Sequence, residues 1–373
     1  MQFIDLKSQY ERIQDDVNNR VLKVLGSQHY IMGSEIQEAE ERLASFAGTK
    51  YAFTCGSGTD ALVIALMAYD LKPTDAVFVP SFTFFASAES ITLAGGTPVF
   101  VDVDPDTFNM DSDDLQAKVD EVVREGKLNP RGIVTVDLFG RLADYDRICE
   151  IANEHDMFVV EDACQAFGAE KHGKRAGSYG NVAATSFFPA KPLGCYGDGG
   201  AIFTDDDDLA TLIQSIRVHG QGKDKYDNVR IGINGRFDTM QAAVILAKLA
   251  VFEDELERRA EIAKYYTENG LADCLETPFV EDGEVSAWAQ YTLKARDAVH
   301  REQILDALQT AGIPSAIYYP IPIHKSTAYE DLGYDVSLPV TEALAERVFS
   351  IPMHPYLDQE NMDRIIATIK AGA

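Results

Sequence analysis

Between residues 51 and 204 the chain repeats one rhythm: a short apolar run rich in β-branched residues, then an amphipathic stretch. Apolar runs of this length bounded by turn formers predict buried strands, and apolar positions recurring every three to four residues predict helices. Strands are expected at 51–54, 76–79, 98–103, 132–136, 157–161, 182–187 and 201–204. Seven strands alternating with helices imply an α/β fold, with a mainly parallel seven-stranded sheet covered on both faces. Helices are expected before it, at 6–25 and at 34–46 with Ser34 as N-cap. After it, an alanine- and leucine-rich helix at 239–252 runs into a charged helical stretch at 253–270. Strands at 286–294 and 317–319, a helix at 301–311 and a closing helix after Asp358 complete the pattern. The change sets an expected boundary: residues 1–252 form the N-terminal helices and the large domain, and residues 253–373 a smaller α+β domain.

Chemistry enters at the connections. Lys191 lies in Ser186-Phe-Phe-Pro-Ala-Lys191-Pro-Leu-Gly-Cys-Tyr-Gly-Asp-Gly-Gly200, between two predicted strands. A lysine held there is partly desolvated, which favours the neutral amine, the nucleophile that forms a Schiff base with a carbonyl. The strand ending in Asp162 would aim a carboxylate into the crevice at the carboxyl edge of the sheet, where such sheets bind ligands. Pyridoxal phosphate needs an acid partner of that kind for its ring nitrogen; the plainer alternative for Asp162 is a helix N-cap. Thr54-Cys-Gly-Ser57-Gly58-Thr59-Asp60 links a strand to a helix at 59–69, and small residues at a helix N-terminus suit a phosphate. Gly56 to Ala61 also matches G-x-G-x-x-A, but the next strand runs into Pro80-Ser81-Phe82-Thr83-Phe84 with no acidic residue to hold a ribose, so dinucleotide binding is not expected. Phe84 could stack on a flat ring or pack as an ordinary core phenylalanine.

Composition narrows the classes. At 373 residues the chain is too long for one compact core, and 46% hydrophobic with 25% charged residues is the make-up of an ordinary globular protein. A formal charge of −27 opposes nucleic acid and anionic membranes. The five cysteines form no C-x-x-C pair and the histidines no H-x-x-x-H, so neither a disulfide framework nor a metal site is expected. No apolar run is long enough to cross a bilayer and the N-terminus lacks a signal-peptide layout, so a cytoplasmic location is expected. The acidic run 205–208 reads as a solvated turn with a helix N-cap.

Together these residues resemble the DegT/DnrJ/EryC1/StrS sugar aminotransferases, a branch of the fold type I pyridoxal-phosphate enzymes. The resemblance spans almost the whole chain. Its specific stretches are 186–200, Glu161-Asp-Ala-Cys-Gln-Ala-Phe-Gly168, Gly232-Ile-Asn-Gly-Arg236-Phe-Asp-Thr-Met-Gln-Ala-Ala243, Tyr318-Tyr-Pro-Ile-Pro-Ile-His324 and Leu338-Pro-Val-Thr-Glu342. Within the family the run Phe187 to Tyr196 looks most like enzymes that aminate UDP-2-acetamido-2-deoxy-3-keto-glucuronate for O-antigen synthesis. The resemblance implies Lys191 as the catalytic tether of pyridoxal phosphate and as the group that moves the proton. It implies Asp162 at the ring nitrogen, Gln165 near the phenolic oxygen, Phe84 on the ring, and Gly58, Thr59 and Ser186 at the phosphate. Asn234 would reach that phosphate from a neighbouring subunit, making a homodimer the minimal active unit. Arg236, Tyr319 and His324 would bind substrate, with Lys223 and Lys225 as further local cations. The amino donor would be glutamate by analogy. Alternatives are a 4-aminotransferase on a dTDP-, GDP- or UDP-linked keto-deoxyhexose, or a non-catalytic cofactor-binding regulator. Relatives that act as dehydratases carry histidine in place of the lysine, and Lys191 argues against that chemistry.

Overall fold

The computed structural model describes residues 1–224, 226–331 and 336–373. Lys225, one of the expected local cations, therefore lies outside the described residues. Two helices, α1 (Leu6–Ser27) and α2 (Ser34–Ala47), precede the sheet. Asp5 caps α1 by accepting the Ser8 N–H, whereas Gly33, not Ser34, occupies the cap position of α2; the Ser34 hydroxyl turns to Glu35 instead.

The sheet strands are β1 (Tyr51–Cys55), β2 (Asp75–Pro80), β3 (Thr97–Val101), β4 (Asn129–Val136), β5 (Phe158–Asp162), β6 (Val182–Ser186) and β7 (Gly200–Thr204). Their spatial order is β1-β7-β6-β5-β4-β2-β3. The run from β6 through β5, β4 and β2 to β3 is parallel, and β7 is antiparallel to both β6 and β1. The third strand stops short of its expected end because Asp102 takes up other work. Its carboxylate accepts the N–H groups of Val340 and Thr341, capping a helix more than 200 residues away that has no side-chain cap of its own.

Helices α3 (Gly58–Met67), α4 (Ala86–Leu93) and α7 (Asp207–Ile216) cover one face. On the other face α1, α2 and α8 (Thr239–Leu249) pack with α5 (Ser112–Glu125) and α6 (Tyr145–Glu154). The acidic run before α7 behaves as expected, with Asp206 accepting the N–H groups of Asp208 and Leu209. Alternation along β5 sorts its side chains. Phe158 and Val160 join the α3 face and Val159 the α1 face, so Asp162 and Glu161 point to opposite sides.

Glu161 is consequently buried without solvent, its oxygens accepting the Gly177 and Tyr179 N–H groups at 2.6 and 2.7 Å. Asp137 lies against it. One Asp137 oxygen accepts from Ala143 N–H and the Tyr145 hydroxyl, and the other has no donor among the described residues. Burial raises both carboxyls above their ordinary range, and the charge of Glu161 raises Asp137 further. Protonating one of the two supplies a donor to the other. Because the folded-state values are raised, the contribution to stability is complete below the ordinary carboxyl range and is lost as pH rises from that range towards and past neutrality. Thermal unfolding from pH 5 to 8 should therefore show a smaller decline for Asp137→Asn than for wild type, by on the order of 1 kcal/mol. Parallel curves would remove the shared proton.

Beyond α8 the chain breaks at Ala250–Val251 and continues as α9 (Phe252–Tyr266), which ends in a wide turn at Thr267–Leu271. A separate apolar cluster then forms around two antiparallel strands, Tyr291–Lys294 and Val348–Ile351, with Ile304 and Leu308 from helix Ala298–Thr310 and Ile365 and Ile369 from helix Gln359–Gly372. Two expected strands are corrected here. Residues 286–290 do not join the ladder, because Ala287 N–H and the Ser286 hydroxyl both bond to Gly140 O. Pairing at 317–319 stops at Ala316, bonded to Ser350; of the tyrosines that follow, Tyr318 packs on Phe3 and Tyr319 on Phe82 and Phe84.

Candidate active site

A cavity of about 640 Å³ opens at the carboxyl ends of β5 and β6. The β6–β7 connection brings Ser186, Phe188, Lys191, Asp198 and Gly199 to it. Ser57, Gly58 and Thr59 come from the start of α3, Thr83, Phe84 and Ser87 from the entry to α4, and Tyr318 and Tyr319 from the C-terminal region.

Each position has a local cause. Lys191 N–H bonds to Phe188 O at 2.9 Å, closing a tight turn that folds the lysine back over the sheet edge. Burial lowers its pKa below the usual lysine value, against the opposing pull of Cys164 and Asp162. The neutral amine is thus favoured where a carbonyl would be attacked. Asp162 is almost fully buried but is not a helix cap, since no helix follows it. Gln165 is fixed from both sides, its oxygen accepting the Phe139 N–H and its nitrogen donating to the Tyr319 hydroxyl, each at 3.1 Å. Burial raises the Tyr319 phenol and keeps it protonated.

At the other end Ser57 Oγ caps α3 by accepting the Asp60 N–H at 2.9 Å. The first amides of a helix have no partner within it and face a ligand with the positive end of the dipole. Gly58 is required there: a Cβ would lie 2.7 Å from Ser186 Cβ and 3.2 Å from Cys164 Sγ. Without it, the helix end could not approach Ser186. The set fits pyridoxal phosphate: an amine, a carboxylate, a phosphate cradle and an aromatic, Phe84, all lining one cavity.

Of the residues singled out in the sequence, the cavity unites Lys191, Gly58, Thr59, Phe84, Asp162, Gln165, Ser186 and Tyr319. Three others stand off its lining. Asn234 is exposed, in a segment paired to Val218. Arg236 is half-buried, with its Nε lacking a partner among the described residues. His324 is 1% exposed, with Nδ1 at 2.7 Å from Ser81 Oγ and Nε2 at 3.3 Å from Glu342. Both ring nitrogens are thereby engaged away from the cavity. Sequence reasoning missed Thr83, Ser87, Asp198 and Tyr318. Thr83 and Ser87 are two hydroxyls four residues apart at a helix start after a strand, a pattern too common to mark a site by itself.

The sequence profile of the DegT/DnrJ/EryC1/StrS aminotransferase family matches residues 11–370. The chain belongs to this family. The aminotransferase is 44% identical over 369 residues, covering 99% of each chain, to the UDP-2-acetamido-2-deoxy-3-oxo-D-glucuronate aminotransferase of Pseudomonas aeruginosa. It is 39% identical to a protein of Geobacillus stearothermophilus named pleiotropic regulatory protein, over 98% of its own length and 96% of the relative's. A crystal structure of a DegT/DnrJ/EryC1/StrS aminotransferase from Brucella abortus superposes with a TM-score of 0.96 at 48% identity, covering 100% of this chain and 99% of that one. Neighbours of the same fold have been solved in PMP and PLP forms. The aminotransferase is a pyridoxal-phosphate enzyme. Among its described residues no helix is long and apolar enough to cross a membrane.

Proposed function

We propose that the aminotransferase transfers an amino group from glutamate to the 3-keto sugar of UDP-2-acetamido-2-deoxy-3-keto-glucuronate, for surface polysaccharide such as O-antigen. The observation that carries the reading is one cavity lined together by Lys191, Asp162 and the N-terminus of α3. The 44% identity to a relative named for that uronate supports the substrate. A charged nucleotide sugar does not cross bilayers, which favours a cytoplasmic location. The division into residues 1–252 and 253–373 fits the break before α9 and the separate apolar cluster beyond it.

When bound, pyridoxal phosphate supplies an electron sink for the carbon that loses its proton. Lys191, neutral through burial, holds the cofactor and, once displaced by the donor's amine, takes the proton from the donor Cα and returns one at the sugar carbon. Asp162 would place a negative charge at the ring nitrogen and so hold its proton. Gln165, held by Phe139 and Tyr319, would serve the phenolic oxygen, and Phe84 would stack on the ring. Ser57, Gly58, Thr59 and Ser186 would bind the phosphate.

The substrate is anionic, yet Lys191, itself favoured as the neutral amine, is the one basic side chain among the described residues lining the cavity, against Asp162 and Asp198. Arg236 and Asn234, off their own chain's cavity, would serve that of a second copy, with Asn234 at the phosphate and Arg236 gripping the uronate carboxylate in two parallel hydrogen bonds. Arg236→Ala should then lower kcat/KM for the uronate about 100-fold, and for the matching neutral hexose far less. Mixed with Lys191→Ala protein under conditions of subunit exchange, it should regain part of the uronate turnover. Equal losses on both sugars would remove Arg236 from the carboxylate and reopen a 4-keto-deoxyhexose as substrate; no recovery on mixing would remove the shared site.

A further inference from the structure

Asp162 is gripped by a side chain as well as by backbone. Its Oδ1 accepts the Cys164 N–H at 3.2 Å, and its Oδ2 accepts the Ser87 hydroxyl at 2.7 Å, from a residue 75 positions earlier. Ser87 is 1% exposed and stands in the first turn of α4, with its oxygen 3.2 Å from the Thr83 hydroxyl. Serines in a first turn commonly serve their own helix backbone. The Ser87 hydroxyl instead crosses to the end of β5.

Charge sets the direction of this chain. An ionised carboxylate only accepts, so the single hydroxyl proton of Ser87 points to Asp162. Ser87 Oγ is then left as an acceptor, and Thr83 must donate to it. The result is a one-way relay from Thr83, on the cavity wall, through Ser87 to Asp162. Donors to a carboxylate favour its charged form and fix the plane of the group.

We propose that Ser87 is a positioning residue for Asp162, keeping its charge and orientation so that the cofactor ring nitrogen stays protonated, with Thr83 orienting the Ser87 hydroxyl. The inference rests on Asp162 being the ring-nitrogen partner. It is tested by reconstituting the apoenzyme with ring-¹⁵N-labelled pyridoxal phosphate and reading the nitrogen resonance, alongside the half-reaction with glutamate. Ser87→Ala should move the resonance towards the unprotonated position and slow the half-reaction about tenfold, with KM little changed, the loss expected for one hydrogen bond to a charged group. Ser87→Thr should restore both, and Thr83→Val should shift both in the same direction by less. A wild-type resonance in Ser87→Ala, or a threonine that fails to restore it, overturns the proposal. If Ser87→Ala does not fold, an unshifted resonance in Thr83→Val overturns it equally. Asp162→Asn separates the two ideas: a ring nitrogen still protonated in that variant shows that the assignment of Asp162 has failed, and the role of Ser87 with it.

Discussion

Lys191→Ala protein should fold, yet show neither the visible absorbance of lysine-bound cofactor nor measurable turnover. The lysine sits in a tight turn at the cavity and makes no ion pair that the fold depends on, so truncation leaves the sheet and helices in place. What is lost is chemical. Phe188, Ala190, Cys164 and Gln165 line the cavity beside it, and none offers an amine. A group that both tethers the cofactor and moves the proton is worth at least the 10²–10⁴-fold of general acid–base catalysis, before the covalent step is counted. Circular dichroism and a cofactor titration separate the two effects. Turnover within about tenfold of wild type would sink the mechanism. In the wild type, glutamate alone should bleach the visible band; a band that survives glutamate would favour a non-catalytic binder, the reading that the name of the Geobacillus relative suggests.

Asp162→Asn should slow the half-reaction with glutamate on the order of 10³-fold, about 4 kcal/mol on the barrier. The amide keeps the shape of the carboxylate and can still accept from Ser87, so packing is preserved. It carries no charge to hold a proton on the ring nitrogen, and without that proton the ring is a poor acceptor of the electrons released at the donor Cα. Single-turnover absorbance at saturating glutamate reads the effect directly. An unchanged rate would leave Asp162 with a structural part only, receiving Ser87 and the Cys164 amide.

The large domain was legible because its signals are local. Short β-branched runs and amphipathic helices announce themselves within ten residues, and all seven sheet strands lie within a few residues of their expected places. What no local signal carries is the partner of each strand, and nothing around Tyr51 reveals that β1 lies beside β7. The smaller domain was overread for the same reason. Ile317-Tyr318-Tyr319 has the composition of a strand, but Tyr318 is taken by Phe3 and Tyr319 by Phe82 and Phe84, all far away in sequence. At the site, Lys191 and Asp162 could be read because their segments are unusual as strings. Thr83 and Ser87 could not, since hydroxyls at a helix start are commonplace and only the end of β5 gives them meaning. His324 sits in a proline-flanked loop of the kind that binds substrate, but Ser81 and Glu342 draw it inward.

The placement of β1 also bears on how the chain is made. Tyr51 pairs with Thr204 and Cys55 with Gly200, so β1 emerges from the ribosome long before its neighbour exists. Strands β2 to β5 can assemble meanwhile, each partner following soon after the last, while β1 waits with an unpaired edge. The turn after β1 is in the same position: Gly200 packs so close to Ser57 that a Cβ there would meet the Ser57 carbonyl at 2.5 Å. Ser57 to Thr59 therefore reach their working place only when β7 arrives. Completion of the phosphate cradle is then a late event of synthesis, and until β7 arrives β1 presents an unpaired edge.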